Sequence, residues 1–226
     1  MTDLTKIDYH GIERVLKRGT GKVIEQQEDA LLILDQLSGV WMLGCENAAA
    51  GEEVLRRNIG DDCQKLMVTD PGLGRRAFHR YGFEEMMECC VVAYYGAEPE
   101  LTGSLVLKDA SEADLPVLTA VYKLESPEDM RRIVQRKKLM LGYEENQLAG
   151  FIGEHLEGSM GLLYVYPEFR HRGYAEELEK AMIARTLKEG NVPFGEVEKN
   201  NTASLTLQKK LGMAVSDRIS CWMWKS

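Results

Sequence analysis

The segment Leu162-Leu163-Tyr164-Val165-Tyr166-Pro167-Glu168-Phe169-Arg170-His171-Arg172-Gly173-Tyr174-Ala175 carries three local signals in succession. An apolar run rich in aromatic and β-branched residues reads as a strand, Pro167 stops it, and a basic turn leads through Gly173 into a helical pattern. The first turn of a helix leaves backbone N–H groups without intrahelical partners, and the helix dipole adds partial positive charge there. Such a place suits a phosphate, and a glycine lets a ligand come close to the backbone.

At these residues the chain resembles the GNAT superfamily of acyl-CoA-dependent N-acyltransferases. The family's short pattern of Gln or Arg, two residues, Gly, one residue, and Gly or Ala is filled by Arg170, Gly173 and Ala175. Val197-Glu198-Lys199-Asn200-Asn201-Thr202-Ala203-Ser204, followed by Leu207-Gln208-Lys209-Lys210-Leu211-Gly212-Met213, resembles the family's later strand and helix, in the right order and at a fitting separation. The resemblance implies an α/β fold of the α+β kind: a mixed, largely antiparallel sheet flanked by helices.

Outward from this core, the 226 residues suffice for one large or two small domains. Apolar residues at 44% and charged residues at 28% are ordinary for a soluble protein, and a formal charge of -8 argues against a general binder of nucleic acid or anionic membranes. The five cysteines, Cys45, Cys63, Cys89, Cys90 and Cys221, include no C-x-x-C pair, so neither a disulfide framework nor a zinc site is expected. Met1 to Lys6 lacks the blocks of a signal peptide, no apolar run spans a bilayer, and a reducing cytoplasm is the expected setting.

Residues 4–18 have helical spacing, 30–34 and 40–44 read as strands, 47–58 as a helix and 66–68 as a short strand. Asp70-Pro71 opens a helix, and Glu85 to Tyr95 reads as a long strand. Phe78-His79-Arg80-Tyr81-Gly82-Phe83 looks like the second motif repeated, yet residues 47–58 lack any basic residue ahead of Gly51. The expectation is a degenerate GNAT-like or accessory α/β half over 1–97, unable to bind a pyrophosphate, and a GNAT acetyltransferase domain over 98–226. Gly96-Ala97-Glu98-Pro99-Glu100 is the expected linker. Beyond it come a strand at 104–108, helices opened by Ser111 and Ser126, strands at 138–143, 147–155 and 160–166, a helix from Gly173 to Lys188, a strand to Val197, a helix from Asn201 to Leu211 and a strand to Trp224.

What the resemblance implies about chemistry is specific. The pantetheine arm of acetyl-CoA lies along Leu163, Tyr164 and Val165, its phosphates sit on Arg170, His171, Arg172, Gly173, Tyr174 and Ala175, and the Val165 N–H is the expected oxyanion donor. Arg170, His171, Arg172, Lys209 and Lys210 supply positive charge for a polyanionic donor, while Glu176 and Glu177 in the first helical turn oppose it unless they point away. Asn201 and Ser204 carry over as helix-start residues that contact the arm or order water near the thioester, with helix capping their competing role, and Lys210 carries over as a further cofactor contact. Gln208 stands where many members place a tyrosine that protonates the departing thiolate; Tyr164, Tyr166, Tyr174 and Cys221 are open substitutes.

An alkylammonium acceptor must lose a proton before attack. Glu154 and Glu157 are the residues placed to take it, each weighed against a solvated acidic turn, and His155 is read as structural. The expected activity is acetyl transfer from acetyl-CoA to a primary amine of a small molecule, with no metal and with a homodimer left open. The alternative is a catalytically weak acyl-CoA-binding or partner-binding module.

Overall fold

The computed structural model of the chain describes residues 3–225; Met1 and Thr2, which open the segment read for a leader, and Ser226 lie outside the described residues. In chain order the elements are α1 (His10–Lys17), β1 (Gly21–Gln26), β2 (Ala30–Asp35), β3 (Val40–Cys45), α2 (Ala48–Asn58), β4 (Lys65–Val68), α3 (Pro71–Arg80), β5 (Glu85–Ala93), β6 (Val106–Asp109), α4 (Leu115–Val121), α5 (Pro127–Gln135), β7 (Leu139–Glu144), β8 (Gln147–Glu154), β9 (Met160–Val165), α6 (Tyr174–Lys188), β10 (Phe194–Glu198), α7 (Thr202–Lys210) and β11 (Ala214–Trp224). Strand β1 was not expected: Lys22, Val23 and Gln26 are exposed, so it shows no apolar run, and pairing with β2 alone makes it a strand. None of the described helices is long and apolar enough to cross a membrane.

By packing, the chain forms two units. One holds residues up to Ala93 together with Glu196–Lys209 and the segment from Met213 onward; the other holds Tyr94–Gly195 and Lys210–Gly212. The later segments join the first unit because β11 runs antiparallel to β5 from Ala214 to Trp224 and to β4 from Cys221 to Trp224.

In the first unit the strands lie in the order β1-β2-β3-β4-β11-β5, with β3 and β4 parallel. Strand β2 reads Ala-Leu-Leu-Ile-Leu-Asp because both its faces are covered. Ala30 and Leu32 enter a core with α2 and α3 residues such as Val54, Leu55, Leu73 and Ala77, whereas Leu31 and Ile33 pack with Tyr9, Ile12 and Val15. The parallel pair β3 and β4 is laced to its end: Thr69 N–H donates to Leu43 O at 3.1 Å, and Cys45 N–H donates to Thr69 Oγ1 at 3.1 Å. Helix α2 is capped by Asn47, whose side chain accepts from Ala49 and Ala50 N–H at 2.8 and 3.3 Å.

In the second unit β6, β7, β8 and β9 form antiparallel neighbours, and Gly195 of β10 lies parallel to β9 opposite Met160. Helix α6 covers one sheet face. Leu178 meets the Cα–H side of Gly142 and Gly150, and two adjacent glycines on neighbouring strands let the helix approach. The other face carries Phe151 and Tyr164, stacked with ring centroids 5.6 Å apart, and Tyr122 from the segment after α4, edge-on to Phe151 at 6.3 Å.

Candidate functional site

Strand β9 is bent at its middle. Phe151 stands opposite Tyr164 but Gly153 stands opposite Gly161, so β9 holds one residue more than β8 over that interval. The extra residue is absorbed at Leu162, whose φ of 51° is in the left-handed region that leucine rarely enters. Beyond the bulge Tyr166 N–H donates to Ala149 O across the β8 ladder at 3.0 Å. Backbone groups of alternate residues face opposite sides of a strand, so those of Val165 face away from β8. The Arg170 Nε donates to Val165 O at 3.0 Å. The Val165 N–H, the expected oxyanion donor, therefore lies on the side of β9 that β8 does not use.

After Val165 the chain makes a short 3-10 turn over Pro167–Phe169, anchored by buried Phe169. His171 has φ 62° and Gly173 has φ 85°, so two left-handed residues flank Arg172 in a curved stretch of backbone of the kind that cradles anions. Gly173 is the N-cap of α6, and among the described residues no side chain caps it. A Cβ built on Gly173 meets nothing within 4 Å, so the space before the helix is open.

The acidic residues of the first turn do not occupy that space. Glu177 is buried and accepts from Thr102 N–H at 2.9 Å, Thr102 Oγ1 at 2.7 Å and Gly103 N–H at 2.8 Å. Glu176 binds Lys210 at 2.5 Å and Lys180 at 3.0 Å, and those two ammonium groups lower its pKa. Of the expected cationic residues, Arg172 is tied to Glu144 at 2.8 Å and to Glu168 O at 3.0 Å, and Lys210 is tied to Glu176. Tyr174 donates to Glu144 as well, while Arg170 lies 6.0 Å over the Tyr164 ring. Arg170 and His171 are exposed beside the helix start. An uncapped helix N-terminus, a left-handed turn and local positive charge fit a diphosphate.

The remaining expected residues separate. Glu154 is buried on the α6 face, 3.1 Å from Thr186 Oγ1 and 3.4 Å from Lys138 Nζ. Thr186 follows Tyr174 by twelve residues of α6, which puts Glu154 roughly 18 Å from the helix start at about 1.5 Å per residue. Glu157 is buried in the β8–β9 turn, where Ser159 Oγ donates to it. Asn201 and Ser204 belong to the first unit, and Ser204 N–H donates to Asn201 Oδ1 at 3.0 Å, the capping geometry weighed against their functional role. Gln208 is buried in α7. Among the offered thiolate partners, Cys221 lies in the first unit with burial pushing its thiol up to about 11, and the Tyr166 hydroxyl is buried without a hydrogen-bond partner.

One cluster had no sequence signal. Glu125 Oε1 lies 2.5 Å from His155 Nδ1, and the Tyr122 hydroxyl sits near the Leu162 backbone N–H at the bulge. Thirty positions separate Glu125 from His155, and no short motif can carry such a pair.

The bulged strand β9 and the helix start that no described side chain caps belong to a fold that this chain shares with GNAT proteins of known structure. Residues 139–223 match the sequence model of FR47-like proteins. The fold also matches a Drosophila protein solved by X-ray methods, with TM-score 0.75 and 15% identity over 98% of this chain and 90% of that one. A GCN5-related N-acetyltransferase from Kribbella flavida matches at TM-score 0.61 and 10% identity, covering 100% of this chain and 96% of that one. A GCN5-related N-acetyltransferase-like protein from Streptococcus suis matches at TM-score 0.58 and 14% identity, covering 94% and 93% respectively. These matches extend over both packing units, beyond residues 139–223. No curated protein matches the chain in sequence.

Proposed function

We propose that the protein is an N-acyltransferase that moves an acyl group, acetyl in the first instance, from acyl-CoA to a primary amine of a small molecule. The observation that carries this reading is the start of α6, where left-handed His171 and Gly173 leave helix amides without a side-chain cap just after bulged β9. Arg170 to Ala175 would hold the diphosphate. Leu163 to Val165 would hold the pantetheine arm as an added strand on the side of β9 away from β8, with Lys210 as a further contact. When bound, acyl-CoA supplies an activated thioester. The chain contributes the Val165 N–H as a fixed donor for the developing oxyanion, a kind of interaction worth about 3 to 4 kcal/mol when removed from other enzymes. Holding both reactants in register adds to this, up to about 7 to 11 kcal/mol for ideal alignment.

Titration calorimetry with CoA and acetyl-CoA tests the donor site, and Arg170→Ala is expected to weaken binding about tenfold, the loss of one charge-assisted hydrogen bond. Release of free thiol from acetyl-CoA, followed over amines, amino acids and polyamines, tests the transfer. The buried Gln208 at the family's tyrosine position favours a second reading, a catalytically weak acyl-CoA-binding module. That reading predicts CoA binding with no acceptor-dependent thiol release. A thiol with a pKa of about 8.5 is a tolerable leaving group without a proton donor, so glutamine there leaves transfer open.

A further inference from the structure

Arg170 and Arg172 stand two residues apart in one basic turn, yet the structure gives them different partners. Arg170 Nε donates to Val165 O at 3.0 Å, and the backbone groups of Val165 face away from β8. Among the described residues no carboxylate pairs with Arg170. Arg172 is turned the other way. Its Nη1 donates to Glu144 Oε2 at 2.8 Å, its Nη2 donates to Glu168 O at 3.0 Å, and its Cζ lies 5.4 Å from the centroid of the buried Phe169 ring. Glu144 is the last residue of β7, and β8 separates β7 from β9. The Arg172 charge is thus matched by a carboxylate on the β7 side, while Arg170 stays on the open side of β9.

The same carboxylate holds a second group. Tyr174, the buried first residue of α6, donates its hydroxyl to Glu144 Oε1, and that hydrogen bond is the main cause that raises the Tyr174 pKa and keeps the donor protonated. One oxygen of Glu144 therefore takes Arg172 and the other takes Tyr174, so both neighbours of Gly173 are fixed to the end of β7. His171 has φ 62° and Gly173 has φ 85°. A histidine rarely enters the left-handed region, and such a conformation persists only where the surroundings hold it. Glu144 supplies that hold through the residues on either side of Gly173.

We infer that Glu144 is a positioning residue of the donor site: it grips Arg172 and Tyr174 together and so sets the backbone amides that meet the diphosphate, leaving Arg170 as the arginine that faces the ligand. The inference rests on the donor site proposed above and divides its two arginines by role. To reach the phosphates, the Arg172 guanidinium would have to leave Glu144, Glu168 O and the Phe169 ring at once.

Calorimetry of the full chain with CoA in about 0.5 M salt tests this, because a screening length of about 4 Å leaves direct contacts and removes most long-range attraction. Arg172→Gln and Glu144→Gln, each with cooperative unfolding curves, should weaken CoA binding about fivefold, the scale of one lost hydrogen bond. The double variant should fall within about twofold of either single one, since the two side chains act as one unit. Arg170→Ala should weaken binding about tenfold whether or not the pair is present. In nitrogen–proton NMR spectra of the ligand-free protein, both Gln variants should shift the Gly173 and Tyr174 amide signals. If Glu144→Gln binds CoA as tightly as the wild type or more tightly while Arg172→Gln binds it weakly, Arg172 is a phosphate ligand that Glu144 restrains; the assignment is then overturned and the donor site stands. Unchanged Gly173 and Tyr174 signals in both variants overturn it equally. No heat from CoA with the wild type would remove the donor site and this assignment together.

Discussion

Two glycines on neighbouring strands make opposite demands. At Gly150 a Cβ would lie 2.4 Å from the backbone oxygen of Tyr164, which cannot give way without parting β8 from β9. Gly150→Ala is therefore expected to destabilise the protein by about 2 to 3 kcal/mol in denaturant titration. At Gly161 the three atoms that an added methyl would meet first all belong to the His155 ring, a side-chain tip that can rotate. Gly161→Ala should cost less than about 1 kcal/mol yet dislodge the ring from Glu125, so the His155 ring signals should shift in NMR spectra of a folded protein. Glu46 is a separate case. Hydrogen bonds from Lys6 at 2.7 Å and Arg218 at 2.8 Å hold its carboxyl at about 2 instead of the ordinary 4.5. Its folded value is depressed, so its contribution is full above about pH 4.5 and fades as pH falls toward 2. Glu46→Gln should lower stability by about 2 kcal/mol at pH 7 and by almost nothing near pH 2, read from unfolding curves across that range.

Helices α2 and α6 each follow a strand that has a parallel neighbour, and their N-termini are finished differently. Asn47 fills the α2 start with its own side chain, and Thr69 closes the end of the β3 and β4 pair. Gly173 leaves the α6 start open. Asn47→Ala is expected to cost about 1 kcal/mol of stability and to leave CoA affinity unchanged. Gly173→Ala strains a left-handed position by about 1 to 2 kcal/mol and puts a methyl where a phosphate would lie, so calorimetry should show weakened CoA binding alongside a lowered melting temperature. The basic turn was legible because Arg170, Gly173 and Ala175 fall at a fixed short spacing. Whether Glu176 and Glu177 opposed it was not, since their partners are Lys210 and the Thr102–Gly103 backbone, far off in sequence.

Over the whole chain, β11 lies between β4 and β5, so the first unit depends on a strand made more than a hundred residues after β5. A chain ended before Phe194 is expected to lose cooperative unfolding of residues up to Ala93, seen as loss of dispersed amide signals from that region, because β4 and β5 would each expose an unpaired edge. A stand-alone fragment of residues 1–97 would fail the same way. By itself the sequence determined the element order apart from β1, the helix starts at Asp70, Ser111 and Ser126, and the anion-suited turn before α6, since these are set by neighbours within a few positions: periodicity, capping and φ preferences. Only the tertiary structure decided that β11 completes the first unit, that Glu154 faces α6, and that Glu125 and His155 meet over Gly161. Those outcomes depend on strand pairing and on which sheet face a side chain takes after a bulge, and a one-residue shift in register reverses the face without altering any local pattern.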